Sequence, residues 1–133
     1  MMDYDRKILI IDDNEVDRIL IKEHLSDIKD CGIIETGNAR SGLHYYLNGN
    51  PGCTILDYHL NDEMDGLGIL REFQNTDRLT TPVIFVTSGG SDKVVKAALA
   101  SGAFLYFDKD DLGNEAFKNA VETCLLTSSQ KGF

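Results

Sequence analysis

Basic residues are scarce in this chain: 13 Lys and Arg stand against 22 Asp and Glu, for a formal net charge of −9. Sequence-independent binding to nucleic acid needs Lys and Arg to displace counterions from phosphates, so the charge argues against it. Adsorption to an anionic membrane surface is disfavoured for the same reason. No apolar run approaches the roughly 18 residues needed to span a bilayer. The opening Met1-Met2-Asp3-Tyr4-Asp5 is acidic and polar, unlike a secretory signal. Cys31, Cys53 and Cys124 are odd in number and widely spaced. They make neither a Cys-x-x-Cys redox pair nor a zinc set, and read as reduced packing residues of a cytosolic protein. No internal repeat, linker or second domain is visible. A chain of 133 residues that is 42% hydrophobic suits one domain with one core. That core is expected over residues 7–126, followed by a polar tail, Thr127-Ser128-Ser129-Gln130-Lys131-Gly132-Phe133.

What is present is an alternation of short apolar runs with helical stripes. Lys7-Ile8-Leu9-Ile10-Ile11 is the continuous β-branched run of a strand buried on both faces. Val16, Ile19, Leu20, Leu25 and Ile28 recur at helical spacing. Ile33-Ile34-Glu35-Thr36 is a weaker strand, and Asn38 is placed to cap a helix carrying Ala39, Leu43, Tyr46 and Leu47. After the turn signal Asn48-Gly49-Asn50-Pro51-Gly52 comes a buried-type strand, Cys53-Thr54-Ile55-Leu56-Asp57. Leu67, Leu70 and Phe73 mark a third helix. Pro82-Val83-Ile84-Phe85-Val86-Thr87 is a fourth strand with its proline acceptably first. Ser91 caps a helix through Val95, Ala98 and Leu99, and Phe104-Leu105-Tyr106-Phe107 is the fifth strand. Phe117, Ala120, Val121, Cys124 and Leu125 form the last helical stripe. Strands alternating with helices in this way predict an α/β fold with a parallel sheet covered on both faces.

In such sheets ligands bind at the carboxyl ends of the strands. Asp12 and Asp13 follow the first strand, Asp57 ends the third, Thr87 ends the fourth and Lys109 follows the fifth. Crowded carboxylates raise one another's pKa unless a cation neutralises them, and all-oxygen ligands suit a hard ion such as Mg²⁺. A carboxylate can be the nucleophile that forms an aspartyl-phosphate. Transfer of a phosphoryl group calls for Mg²⁺, an ammonium and a hydroxyl or amide donor around its oxygens. The set reads as a phosphoryl-transfer centre.

The ordered elements Ile10-Ile11-Asp12-Asp13-Asn14, Ile55-Leu56-Asp57, Met64-Asp65-Gly66, Val86-Thr87-Ser88 and Tyr106 with Lys109 resemble the receiver domain of bacterial response regulators. In size and layout the chain is close to the single-domain chemotaxis regulator, with the match running from Lys7 to Leu126. The resemblance implies a flavodoxin-like (βα)₅ doubly wound fold, a five-stranded parallel sheet of order 2-1-3-4-5. It implies a signalling switch rather than an enzyme, with Mg²⁺ as cofactor and a histidine kinase or phosphotransfer protein as donor. Downstream it implies a protein effector or a fused output domain. Carried over residue by residue, Asp57 is the phosphoacceptor. Asp13 and Asp57 would bind Mg²⁺ directly, Asp12 mostly through water, and the backbone carbonyl of His59 would complete the protein ligands. Lys109 would grip a phosphoryl oxygen, Thr87 would hydrogen-bond the attached group, and Tyr106 would be the rotameric switch.

Three departures from the family pattern stand out. Tyr58-His59-Leu60-Asn61-Asp62-Glu63 lacks the proline usual after Leu60 and is one residue longer. Lys109 precedes Asp110 where the family has proline, often after a cis bond, which before a non-proline residue costs about 2.5–4 kcal/mol. Ser88-Gly89-Gly90 replaces a more ordinary sequence with a conformationally permissive one. Plainer readings exist for single residues: Asp12-Asp13 as a solvated turn, Lys109 in a surface ion pair with Asp108, Asp110 or Asp111, and Tyr106 as a fixed aromatic. His24 and His44 read as solvated. Three other functions compete. An aspartyl phosphohydrolase of the haloacid-dehalogenase type needs a second aspartate where His59 stands. A pseudo-receiver usually lacks one of the acidic residues or the lysine, all of which are here. A receiver cut from a hybrid histidine kinase or multidomain regulator would share every feature.

Overall fold

The computed structural model of the chain describes residues 6–60, 64–76 and 81–130. Strand β1 (Arg6–Ile11) leads to helix α1 (Glu15–His24), and the alternation continues through β2 (Cys31–Thr36), α2 (Ala39–Asn48) and β3 (Cys53–Asp57). It ends with α3 (Gly66–Gln74), β4 (Val83–Thr87), α4 (Asp92–Ala100), β5 (Leu105–Asp108) and α5 (Glu115–Gln130). A single 3₁₀ turn, Lys109–Asp111, joins β5 to α5. The five strands are parallel, in the order β2-β1-β3-β4-β5, as the family resemblance implies.

The two-residue repeat of a strand divides its side chains between two apolar layers. Ile8, Ile10, Cys53, Ile55, Ile84 and Val86 face α1 and α5, where Ile21, Phe117, Val121 and Cys124 cover them. Leu9, Ile11, Leu56, Val83 and Phe85 face the other way, onto Tyr46 of α2, Ile69, Leu70 and Phe73 of α3, and Ala98 of α4. Burying one such side chain is worth about 1.5–3 kcal/mol, so these layers hold the sheet and leave its ends to do chemistry. Cys53 and Cys124 are buried and Cys31 half-buried in the first layer, and none is in a disulfide.

The helices begin where the strands end. Asn14, Asn38, Asp65 and Ser91 cap α1 to α4, each accepting a hydrogen bond from the backbone three residues on, at 3.1, 2.9, 2.9 and 3.3 Å. The helix N-termini, which favour negative charge, therefore open on the same edge as the carboxyl ends of the strands.

Four points of the sequence reading are refined. On α1 the stripe Val16, Ile19 and Leu20 faces solvent, 63%, 43% and 46% exposed, while Ile21 and Leu25 enter the core. Polar anchors set the rotation of that helix: Arg18 donates to the Asp12 carbonyl at 2.6 Å and pairs with Glu35 at 3.0 Å. On the edge strand β5, pairing starts at Leu105 and leaves Phe104 exposed. The expected polar tail is in part helix, since α5 runs to Gln130. The Thr123 and Thr127 hydroxyls donate to carbonyls four residues back instead of ending it. The Lys109–Asp110 peptide is trans, and the Asp108 carboxylate accepts from the Asp110 amide at 2.9 Å to start the 3₁₀ turn. Asn61, Asp62 and Glu63 of the longer loop, and the termini, lie outside the described residues.

Gly66 shows why the Met64-Asp65-Gly66 element sits against β3. A Cβ there would lie 2.4 Å from the Asp57 carbonyl oxygen and 2.7 Å from the Tyr58 Cα. Backbone cannot yield as a side-chain tip does, so Gly66→Ala should destabilise the fold by about 1–3 kcal/mol. Urea unfolding checks this, and an unchanged midpoint would refute it.

Candidate functional site

Neighbouring strands bring the acidic residues together. β1 and β3 pair with Ile11 beside Leu56, so the next residues, Asp12 and Asp57, emerge side by side. The ladders extend past both: the Asp12 amide donates to the Thr36 carbonyl at 3.0 Å and the Tyr58 amide to the Val86 carbonyl at 2.9 Å. Both aspartates are buried, each 1% exposed. Asp13 lies toward solvent, and all three offer carboxylate oxygens within 4.8 Å of one another. No other cluster of His, Cys, Asp or Glu among the described residues could hold a metal in this way.

Lys109 reaches in from beyond β5. Its ammonium lies 2.9 Å from Asp12 Oδ2 and 3.5 Å from Asp57 Oδ1. The aspartates beside it in sequence are not its partners. Asp17 of α1 makes the shortest contact of all, 2.6 Å. That residue was missed in the sequence: Asn14 as the cap fixes its place in the first turn, but nothing in the sequence says that Lys109 lies opposite. The same holds for Arg18, which braces the Asp12 carbonyl.

The electrostatics follow from these distances. Burial, then the Asp12 charge, push the Asp57 carboxyl up to about 7, against the opposing pull of Lys109 and the His59 amide. Burial also raises Asp12, despite the hydrogen bond from Lys109. Burial would lower Lys109, but hydrogen bonds to Asp17 and Asp12 and the Asp57 charge outweigh it and hold the ammonium above its ordinary value. One ammonium meets three carboxylates, those of Asp12, Asp17 and Asp57, so negative charge outnumbers positive around it.

Thr87 ends β4 beside Asp108 of β5 and is fully buried. Its hydroxyl has no hydrogen-bond partner in the structure, whereas the buried oxygens Asp12 Oδ2 and Asp57 Oδ1 share the Lys109 ammonium. Buried polar atoms are almost always paired, so a bare Thr87 hydroxyl next to two carboxylates that share one ammonium leaves this edge of the sheet under-satisfied. Each glycine after Ser88 has its own cause. Gly89 adopts a left-handed φ of 65° while its amide donates to Asp108 at 3.2 Å. A Cβ on Gly90 would meet the Thr87 methyl at 2.4 Å and the Tyr106 hydroxyl at 3.5 Å. Half-buried Tyr106 thus lies within one loop of Thr87. Burial, then Asp108 and Asp111, raise its phenol.

Beside the acids lies a depression of about 410 Å³ lined by Asp13, Tyr58, His59, Leu60 and Asp65. His59 is exposed and its ring meets Tyr58 edge-on. His24 and His44 are exposed on α1 and α2, as expected.

Residues 8–122 match the response regulator receiver domain family. The chemotaxis protein CheY of Pseudomonas aeruginosa is 31% identical over 96 residues, 71% of this chain and 77% of that protein. The response regulator VraR of Staphylococcus epidermidis is 32% identical over 104 residues, 77% of this chain but 49% of VraR, so the chain spans about half its length. In three dimensions the chain is similar to a signal receiver domain of Vibrio parahaemolyticus. That likeness has a TM-score of 0.83 at 23% identity and covers 95% of this chain and 94% of the other. The strand order, the acidic edge and these likenesses converge: the chain belongs to the response regulator receiver domains of two-component signal transduction.

Proposed function

We propose that Asp57 accepts a phosphoryl group from a phosphohistidine of a histidine kinase or phosphotransfer protein, and that Thr87 and Tyr106 convert the event into a change of protein-interaction surface. The observation that carries the reading is the pair of buried carboxylates, Asp12 and Asp57, sharing one ammonium, with the unpartnered Thr87 hydroxyl on the neighbouring strand end. The Asp57 carboxylate attacks phosphorus, the P–N bond breaks, and its electron pair stays with the departing imidazole. Lys109 stabilises charge on the phosphoryl oxygens, and the Thr87 hydroxyl donates to one of them once the group is attached. Asp12, Asp13 and Asp57 fit the Mg²⁺ that receiver domains bind at this acidic edge, and the His59 carbonyl would complete the protein ligands. Bound there, Mg²⁺ supplies the positive charge that the pocket lacks. Hydrolysis of the aspartyl-phosphate resets the switch, with His59, two residues after the acceptor, as a modulating group. A module that had lost the chemistry is disfavoured, since acceptor, acidic pair and lysine all converge.

The output face lies on α4, β5 and α5. Tyr106 borders it, Lys93 and Lys96 are exposed on α4, and Leu99, Phe104, Leu105 and Leu126 leave apolar surface uncovered. Grouped apolar and aromatic surface suits a protein partner, and the net charge of −9 disfavours nucleic acid. Among the described residues no helix is long and apolar enough to cross a membrane.

Labelling from acetyl phosphate in Mg²⁺ should occur only at Asp57 and vanish in Asp57→Asn; undiminished incorporation in the variant sinks the assignment. The resting site should also show itself as a stability cost. The Asp57 pKa, at about 7, is raised above its ordinary 3.8. Stability from this group is therefore complete below the lower value and lost as pH rises through the higher. In metal-free buffer Asp57→Asn should match the wild type near pH 4 and exceed it by about 2–4 kcal/mol above pH 7. Added Mg²⁺ should narrow that gap, and pH-dependent denaturation curves measure both. Chemical-shift mapping with beryllofluoride tests the switch: Thr87, residues 89–99 and Tyr106 should all respond. A response confined to the acidic residues would remove the switch and leave the acceptor standing.

A further inference from the structure

Lys109 is held hardest by a residue outside the acceptor pocket. Its contacts lengthen from Asp17 at 2.6 Å, through Asp12 at 2.9 Å, to Asp57 at 3.5 Å. An ammonium has three N–H donors; here one donates to Asp17, and the Asp12 and Asp57 carboxylates stand at ion-pair distance from the same nitrogen. The backbone that carries Asp17 is tied to the acidic loop and to β2. Arg18, the next residue, binds the Asp12 carbonyl and Glu35, and Lys22 one turn on binds the same Glu35 at 2.5 Å. The Asn14 cap pins the Asp17 amide itself at 3.1 Å. A phosphoryl oxygen on Asp57 must therefore compete with the Asp17 carboxylate for Lys109.

We infer that Asp17 is a positioning residue that restrains Lys109 in the unphosphorylated protein and so lowers the affinity of the site for a phosphoryl group. The inference rests on Asp57 being the acceptor. Two effects act in the same direction: Asp17 competes for the ammonium, and its charge stands one ammonium's breadth from where the phosphoryl charge arrives. The pair is about one-third open to water at Asp17, which keeps the effect moderate.

Beryllofluoride titration of the full chain at saturating Mg²⁺, followed by chemical shift, reads the effect directly. Asp17→Asn should bind about two- to fivefold more tightly than wild type, and Asp17→Ser should do the same if the amide variant folds poorly. Asp17→Glu should restore the wild-type value, as a carboxylate does and a merely structural residue does not. Glu15→Gln is the control for charge alone. Glu15 is exposed on the same turn and has no ion pair among the described residues, so its loss should leave affinity unchanged. Unchanged or weaker binding in Asp17→Asn overturns the proposal, as does equal tightening in Glu15→Gln. If the wild type binds no beryllofluoride, or binds it equally as Asp57→Asn, the acceptor reading fails and the restraint falls with it.

Discussion

Two carboxylates buried side by side, with one ammonium between them, set the character of this molecule. Asp12 and Asp57 emerge from adjacent strands whose register leaves them no choice of distance. Burial and mutual repulsion raise Asp57 toward neutrality, which is the opposite of what a stabilising ion pair does. The edge of the sheet is thus held in a state that added positive charge would relieve. Such a cost is tolerable because two apolar layers hold the strands from both sides, and the acidic edge bears little of the load.

The surrounding polar contacts position more than they stabilise. Arg18 ties α1 to the Asp12 loop, Asp17 ties the same helix to Lys109, and Asp108 ties the Gly89 amide and the 3₁₀ turn to the end of β5. Each joins a loop of the site to an element of the scaffold. Through Asp108, the loop after Thr87 and the turn carrying Lys109 share one carboxylate, so neither moves without consequence for the other. Gly90 adds a steric link, since its missing Cβ is what lets Thr87 and Tyr106 approach the same space.

Asymmetry of surface follows from the same construction. Where β5 closes the sheet, its short pairing leaves Phe104 and Leu105 open beside Leu99 and Leu126. The surface near Tyr106 mixes exposed apolar side chains with Lys93 and Lys96 while the other edge is acidic, so the two ends of the proposed signalling path differ in the partners they suit.

Much of this was legible in the linear sequence. The β-branched runs and the capping residues Asn38 and Ser91 specify local structure through propensities that need no tertiary context. Asp12, Asp13, Asp57, Thr87 and Lys109 announced themselves by standing at the ends of apolar strands, where a lone polar group has no structural use. Helical spacing on α1 defined a face without saying which way it turns; Arg18 and Asp17 decided that, and Val16, Ile19 and Leu20 went outward. The end of α5 was hidden because threonine hydroxyls can bond either into a helix or away from it. Above all, only the folded chain could bring Asp17 to Lys109, because that contact depends on how α1 lies across the sheet edge and not on any spacing along the sequence. The sequence by itself determined the strands, the caps and the chemistry at the strand ends; tertiary structure decided which carboxylate holds the lysine, because long-range packing alone sets the rotation of a helix.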